Sequence, residues 1–337
     1  MNSGTDWPGV SVVMPVLNEE RHLPKAVEHV LLQRYPGPVE LIMAVGPSDD
    51  RTEQVAAELV AAHDQVRWIE NPTGRTPAGL NLAIAASRYD FVVRVDAHGE
   101  LAPGYLETAV RTLMETGAAN VGGLMDAQGT TPFEKAVAAA YNSPLGLGGN
   151  AFHLESSPEG PAETVFLGAF RKEALEELGG FDETLHRAQD WDLNHRLIQS
   201  GKLVWFTPAL RVTYRPRSSV RALAKQFFAT GRWRREVIDR DPGTIRFRYL
   251  VPPVTVLGMA VGKSAGLVGC ATRNRWLRLG WLAPIAYLGF LAVATSTIRA
   301  DLDSRSRAWL PLVLTVMHMA WGLGFLVGLP RTEKSRG

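Results

Sequence analysis

An α/β domain built on a mostly parallel mixed sheet, followed by a C-terminal helical membrane region, is the fold class that this 337-residue sequence predicts. Three observations lead there. Short β-branched runs alternate with amphipathic helical patterns through the first hundred residues, which is the signature of βαβ units. Polar residues follow each of those runs. Long apolar stretches gather near the far end, and two of them carry no Asp, Glu, Lys or Arg. Charged residues make up 21%, with 32 Gly and 21 Pro, which excludes a disordered, collagen-like or coiled-coil chain. A net charge of +2 supplies no basic field, so no nucleic-acid partner is expected. Cys270, the single cysteine, excludes an internal disulfide framework and a CxxC zinc site.

The elements follow in order. Val10 to Val16 reads as the first strand, bounded by Pro15 and Asn18, and an amphipathic pattern runs from Glu20 to Gln33. Val39 to Val45 is the second strand and Thr52 to Ala62 a helix. Val66 to Ile69, then Pro77 to Ala86, repeat the unit, and Phe91 to Val95 closes it. In such sheets ligands bind beyond the carboxyl ends of the strands, at a topological switch point. The residues just after each strand therefore matter most: Asn18 and Glu19, Gly46 to Asp50, Asn71 to Arg75, and Asp96 to His98. No G-x-G-x-x-G follows the first strand, which argues against a dinucleotide cofactor; Gly146 to Gly149 comes too late and opens no helix.

The far end is apolar. Leu279 to Ile298 and Trp309 to Leu329 are each long enough to cross a bilayer, with Trp276, Trp281 and Trp309 near their ends. Leu250 to Cys270 holds Pro252, Pro253 and a central Lys263, and is expected to be re-entrant or interfacial, a third span being the alternative. Two spans keep the basic clusters Arg273, Arg275, Arg278 and Arg331, Lys334, Arg336 on the side of the N-terminal domain, as the positive-inside tendency prefers. G-M-A-V-G-K-S, Gly258 to Ser264, is one residue short of a P-loop and is discarded. Met1 to Gly9 has no apolar segment, so no cleaved leader is expected. The domains read as 1–210, a catalytic α/β domain; 211–248, a basic amphipathic interfacial helix; and 249–337, the membrane-anchoring region.

Asp96-Ala97-His98 sets a carboxylate and an imidazole one residue apart at a strand end. In isolation that is a common solvated turn. Among three other polar loops it suits a divalent cation, Mg²⁺ or Mn²⁺, that would neutralise a departing diphosphate. Asp190 stands where a helix begins, running to Gln199. A carboxylate there is stabilised as a simple cap or serves as a base that takes a hydroxyl proton; Asp192 competes for that role. Gly179 to Glu183 reads as a loop able to pass over a ligand. Arg211 to Arg240 carries nine Lys or Arg against Glu236 and Asp239, with Val220, Leu223, Phe227 and Phe228 at helical spacing, which suits an interfacial helix on anionic lipid. Arg232 and Trp233 at its end could approach a diphosphate.

Taken in order, these pieces resemble a family 2 glycosyltransferase of the GT-A (Rossmann-like) fold. The likeness rests on V-V-M-P-V-L-N-E-E from Val12, G-P-S-D-D-R-T from Gly46, N-P-T-G-R-T-P-A-G-L-N from Asn71, R-V-D-A-H from Arg94, G-A-F-R from Gly168, G-G-F-D-E from Gly179 and A-Q-D-W-D-L-N from Ala188. It runs from about Val10 to Pro242. The D-A-H variant and the apolar tail are similar to the succinoglycan-type exopolysaccharide glucosyltransferases.

The resemblance implies that Pro15, Asn18, Glu19, Asp50, Arg75 and Asp96 bind the nucleotide, and that Asp96 and His98 hold a divalent cation. Asp190 would be the base, and Gln226, Arg232 and Trp233 would sit near diphosphate and acceptor. Val45 stands where the family usually has the Asp that reads the uracil edge, and His98 replaces the second Asp of D-x-D; a UDP-sugar remains the favoured donor. The implied reaction is inverting transfer to a polyprenyl-diphosphate-linked saccharide in cell-envelope or exopolysaccharide synthesis. The implied location is the cytoplasmic face of the inner membrane. The rival expectations are a polyprenyl-phosphate glycosyltransferase, which needs no hydroxyl base, and a membrane-anchored nucleotide-sugar-binding subunit without activity.

Overall fold

The computed structural model describes residues 7–147, 151–185, 188–298 and 301–329. The chain divides into two compact units: one reaches Asp126 and resumes from Ala151 to Tyr214, and the other takes Ala127–Asn150 and the chain from Arg215 onward. This differs from the boundaries expected at 210 and 248. Residues after Asp126 leave the α/β unit and pack with the C-terminal helices.

In the first unit, β1 (Val10–Val16), β2 (Val39–Val45), β3 (Val66–Glu70) and β4 (Phe91–Arg94) are joined by α1 (Leu23–Leu31), α2 (Thr52–Ala62) and α3 (Thr76–Ala86). All run parallel, β1 lying between β2 and β4. The chain therefore reverses direction across the sheet at β1, the switch point where a site is expected. β5 (Glu100–Leu101), α4 (Tyr105–Thr116), β6 (Asn120–Ala127), β7 (Gly160–Pro161), β8 (Phe166–Arg171), α7 (Lys172–Glu177), α8 (Gln189–Gln199) and β9 (Val204–Tyr214) complete the unit. The strand order is β3-β2-β1-β4-β8-β6-β9-β5, with β7 on β9. β8 runs antiparallel to β4, so the sheet is mixed.

Strand alternation sorts the side chains. Val10, Val12, Met14 and Val16 enter one core cluster with α1 and α4, while Val13 and Val92 enter the other with α3, α7 and α8. Arg94 shares the parity of Val92, so its side chain is delivered to the α3/α8 face. Pro15 costs the ladder nothing. Val13 accepts from Val95 N–H on the β4 side, and Pro15, two residues on, faces that side where pairing with β4 has ended.

Near the starts of the strands lies a buried polar knot. Ser11 Oγ donates to Glu40 at 2.7 Å, Arg88 N–H donates to the same carboxylate at 2.7 Å, and Arg67 Nη2 pairs with it at 3.1 Å.

The second unit holds α5 (Pro132–Tyr141), α6 (Pro144–Leu147), α9 (Val220–Arg240), α10 (Phe247–Ala271), α11 (Arg275–Arg278), α12 (Leu282–Thr297) and α13 (Ser304–Val327). Phe133 meets Trp309 edge-on at 5.5 Å, and the Leu145 carbonyl lies 3.1 Å from His318 Nε2. Those contacts draw the 127–147 stretch to α13. Phe247–Ala271, Arg275–Thr297 and Ser304–Val327 are each long and apolar enough to cross a membrane. The first, expected to be re-entrant or interfacial, is one continuous helix: Pro252 and Pro253 fall in its second turn, where few hydrogen bonds are lost. Its Gly262, Gly266 and Gly269 form a small-residue face against Gly280, Trp281 and Arg278. The discarded P-loop look-alike is part of that face.

α9 also differs from the expected lipid-facing helix. Leu223 and Phe227 are buried, and Gly231 and Gly324 let α9 and α13 approach backbone to backbone. The basic cluster Arg331, Lys334, Arg336 lies outside the described residues.

The Glu40 knot generates a prediction. Burial alone would raise the Glu40 carboxyl, but the hydrogen bonds from Ser11, Arg88 and Arg67 hold it below the usual glutamate range. Its folded pKa is thus lower than its unfolded one, so its contribution is complete above about pH 4.3 and fades as pH falls through the folded value. Glu40→Ala should destabilise the protein by about 3 kcal/mol at pH 7, read by thermal unfolding, and the gap to the parent should narrow in acid.

Candidate functional site

Four loops meet at the carboxyl ends of β1 to β4. Asn18 adopts a left-handed backbone, φ 56°, which Asn tolerates better than most residues. Its N–H donates to Ser48 Oγ at 3.1 Å, and its Oδ1 accepts from Asp49 N–H at 2.7 Å. Those bonds tie the first loop to the second. Gly46 lies so close to Gly74 that a Cβ would fall 2.8 Å from the Gly74 Cα, tying the second loop to the third. Glu19 Oε1 pairs with His98 Nδ1 at 2.9 Å, tying the first loop to the fourth. The sequence expectation that these loops share one edge is therefore seen directly.

The individual residues divide into supports and exposed groups. Asp50 accepts from Glu20 N–H at 3.2 Å and Thr52 N–H at 3.0 Å, and its carboxyl is held below the usual range, chiefly by the Thr52 hydroxyl. It builds the loop rather than standing open. Arg75 is exposed just before α3, with its N–H on Thr73 Oγ1 at 3.2 Å. Val45 is buried in the core at the end of β2 and offers no polar group to a base. Glu19 also pairs with His22 Nδ1 at 3.0 Å. Burial pushes its carboxyl up, but the two histidines outweigh that and lower it.

At the centre is Arg94, 4% exposed. Its Nε and Nη2 donate to Asp96 Oδ1 at 3.3 and 3.1 Å, and its Nη1 donates to Asp190 Oδ1. The guanidinium lies 6.0 Å from the centre of the Phe181 ring. Asp190, in the first turn of α8, is raised above the ordinary aspartate range: burial and the like charge of Asp96 push it up against the pull of Arg94. Asp192, the competing carboxylate, pairs instead with Arg196 Nε at 2.8 Å on its own helix. α8 is pinned by Asn194, which accepts from Asn120 Nδ2 at 2.6 Å and donates to Thr164 Oγ1 at 3.0 Å.

The Gly179–Glu183 stretch is not a free lid. Phe181 is buried, and Asn81 Nδ2 donates to the Phe181 carbonyl at 2.9 Å while its Oδ1 accepts from Phe181 N–H at 2.8 Å. That fastens the loop to α3. Gln226, Arg232 and Trp233 stand on α9 of the second unit, where Arg232 Nε donates to the Gly328 carbonyl just after α13, at 2.9 Å. Sequence reasoning passed over Arg94 itself. The signal was present: a lone cation at an inward position of an apolar strand, two residues before an aspartate, needs a buried anionic partner.

For a divalent cation, Asp96 and His98 offer one donor each. No cluster of three or more His, Cys, Asp or Glu forms a metal site among the described residues. Two protein donors suit an ion whose other positions are filled by diphosphate oxygens and water. Arg94 occupies Asp96 Oδ1 only. The Glu19 carboxylate can only accept, so in the neutral ring His98 Nδ1 carries the proton and Nε2 is the lone-pair nitrogen. That is how metal-binding imidazoles are usually oriented. The residues fit the ion.

Comparison with known proteins follows the same lines. The family model for glycosyl transferase family 2 matches residues 11–179. The succinoglycan biosynthesis protein ExoA of Rhizobium meliloti is 29% identical over 329 residues, covering 93% of both chains. A Methanococcus voltae dolichyl N-acetyl-alpha-D-glucosaminyl phosphate 3-beta-D-2,3-diacetamido-2,3-dideoxy-beta-D-glucuronosyltransferase is 24% identical over 338 residues, covering 95% of this chain and 97% of its own. Among solved structures, a mannosyltransferase from Pyrobaculum calidifontis, in complex with GDP-Man and Mn²⁺, aligns with a TM-score of 0.58 at 19% identity, over 96% of this chain and 88% of its own. That likeness shows the fold.

Proposed function

The chain belongs to glycosyl transferase family 2 and is a glycosyltransferase of the GT-A fold, and on that footing we propose that it moves a sugar, with inversion, from a nucleotide-diphosphate sugar to a lipid-linked saccharide. The observation that carries this reading is the pairing of Asp190 and Asp96 through Arg94 at the switch point of the sheet.

The acceptor hydroxyl oxygen attacks the anomeric carbon while the bond from that carbon to the diphosphate oxygen breaks. The hydroxyl proton passes to Asp190. A carboxylate raised above its ordinary range is a stronger base for the hydroxyl proton. The nucleoside diphosphate leaves from the face opposite the incoming hydroxyl, which inverts the anomeric centre. Asn18, Glu19 and Arg75 line the loops where the nucleotide would rest, with Pro15 and Asp50 shaping them. Asp96 and His98 would hold a divalent cation, Mn²⁺ or Mg²⁺, which when bound supplies charge to the leaving diphosphate.

The acceptor reading draws on the exopolysaccharide and dolichyl-phosphate names of the two relatives and on the apolar helices. A polyprenyl phosphate acceptor would need no base, which makes Asp190 redundant. For the donor, UDP-sugars come first. GDP-mannose follows, because the P. calidifontis enzyme carries it and Val45 lacks the uracil-reading carboxylate. The membrane helices would place the α/β unit on the cytoplasmic face of the inner membrane; if α12 and α13 alone cross, Arg273, Arg275, Arg278 and Arg331, Lys334, Arg336 share that side, and if α10 crosses as well they lie on the other.

Kinetic, pH, metal-removal and membrane-topology experiments test this. Asp190→Asn keeps an oxygen for Arg94 but cannot take a proton, so turnover should fall by at least about 10²-fold with donor KM nearly unchanged and a β-linked product from an α-donor in the parent. Near-normal turnover, or transfer to bare polyprenyl phosphate that survives the substitution, would sink the base assignment. The acid limb of kcat should lie above the ordinary aspartate value of about 3.9, turnover being lost as pH falls through it. Excess chelator should abolish transfer while the thermal midpoint holds, and Asp96→Ala should abolish it too but lower the midpoint, because it also removes one partner of the buried Arg94; full activity in chelator removes the cation from the scheme. Alkaline carbonate should leave the protein in the membrane pellet; alkaline phosphatase fused after Gly337 should stay inactive in cells if α12 and α13 alone cross, and an active fusion shows that α10 crosses as well.

A further inference from the structure

We propose that Arg94 is a positioning residue that fixes the separation between the leaving-group end and the base end of the site. It takes Oδ1 of Asp96 and Oδ1 of Asp190, leaving Oδ2 of Asp96 for the cation and Oδ2 of Asp190 for the acceptor hydroxyl. The inference rests on the donor and base assignments made above and goes beyond them in naming the residue and the atoms.

The geometry is local and over-determined. Arg94 is the last residue of β4, opposite Val13 of β1 and Gly168 of β8, and it is 4% exposed. A guanidinium taken out of water loses several kcal/mol of hydration unless its donors are satisfied. Here they are satisfied by two carboxylates from different elements, one two residues along the chain and the other on α8. The fork is rigid and planar: Nε and Nη2 address one oxygen, and Nη1 addresses the other. A lysine ammonium could neutralise either aspartate but could not hold both at a fixed angle.

The supports on each side are equally fixed. Phe181 lies beneath the guanidinium and is fastened by Asn81. α8 is fastened by Asn194 to β6. Each carboxylate thus has one oxygen spoken for, so its second oxygen is the one able to act. In-line displacement is sensitive to the placement of base against leaving group, and misplacement by about 1 Å can cost on the order of 10²-fold.

The test uses the full-length protein in detergent. Arg94→Lys should lower kcat at least about tenfold, and adding Asp190→Asn should lower it less than about threefold below Asp190→Asn alone, since both changes break one unit. Turnover of Arg94→Lys within threefold of the parent, or a double variant that falls by the product of the two single effects, overturns the proposal.

A second arm needs neither activity nor an Arg94 variant. Calorimetry is run with Mn²⁺ plus GDP and with Mn²⁺ plus UDP. Asp190→Ala leaves Arg94 to Asp96 alone, so the ion pair should tighten, compete with the cation and weaken Mn²⁺–nucleotide binding at least about threefold. Asp192→Ala, whose carboxylate belongs to Arg196, should bind like the parent. Unchanged binding in Asp190→Ala overturns the proposal, and this arm decides alone if Arg94→Lys does not fold. A parent protein that binds neither Mn²⁺–nucleotide overturns the donor reading and this inference with it, whereas a parent that binds and an Asp190→Ala that binds equally well removes only the role of Arg94.

Discussion

A guanidinium buried at the end of a central strand cannot remain unpaired, and much of the α/β unit is arranged around that constraint. Arg94 has the strand parity of the α3/α8 face. Its charge must therefore be met by whatever that face supplies. Asp96 is supplied by the chain itself, just past the strand. Asp190 arrives only because α8 begins beside it, held by the Asn194–Asn120 bond. β8 passes Arg94 with Gly168, a position where a Cβ would strike the Phe170 ring and the Asn120 side chain. Electrostatics at one residue thus links the placement of a helix, a strand and a loop.

The two ends of the sheet use charge differently. Near the strand starts, Glu40 is enclosed by Ser11, Arg67 and Arg88 and serves stability. At the strand ends, Asp96 and Asp190 each give one oxygen to Arg94 and keep the other. In parallel sheets the loops after the strands converge at the switch point, so groups there can meet a ligand together. Partial satisfaction is tolerable because these carboxylates are only partly buried; Asp190 keeps 34% of its side chain exposed.

The second unit shows the same economy in apolar form. Gly262, Gly266 and Gly269 of α10, and Gly231 and Gly324 between α9 and α13, bring backbones together where larger residues would collide. Leucine and valine side chains of α10 and α12, such as Val254, Leu257, Val261 and Leu288, remain exposed. Helices that pack through small residues and expose branched ones are suited to a lipid surround, where water offers no hydrophobic drive between helices.

Much of this was legible in the sequence. Alternating β-branched runs and helical patterns set out the first four strands, because period-2 and period-3.6 burial leave different marks on a chain. The loop residues Asn18, Glu19, Asp96 and His98 were legible because they follow strands, and the apolar tail because length and lack of charge are local properties. Other features depend on which elements become neighbours, which local patterns do not encode. By residue type and place at a helix start Asp190 and Asp192 compete for one role; the different arginines they meet, Arg94 and Arg196, separate them in space. The Gly179–Glu183 loop looks mobile until Asn81, a hundred residues earlier, is seen to bind it. Asp50 looks like a ligand group until Glu20 and Thr52 take up its oxygens. Residues 127–147 join the C-terminal helices because Phe133 and Leu145 meet α13. Local chemistry determined which groups could act; pairings far apart in the chain decided which of them are spent on structure and which are left for chemistry.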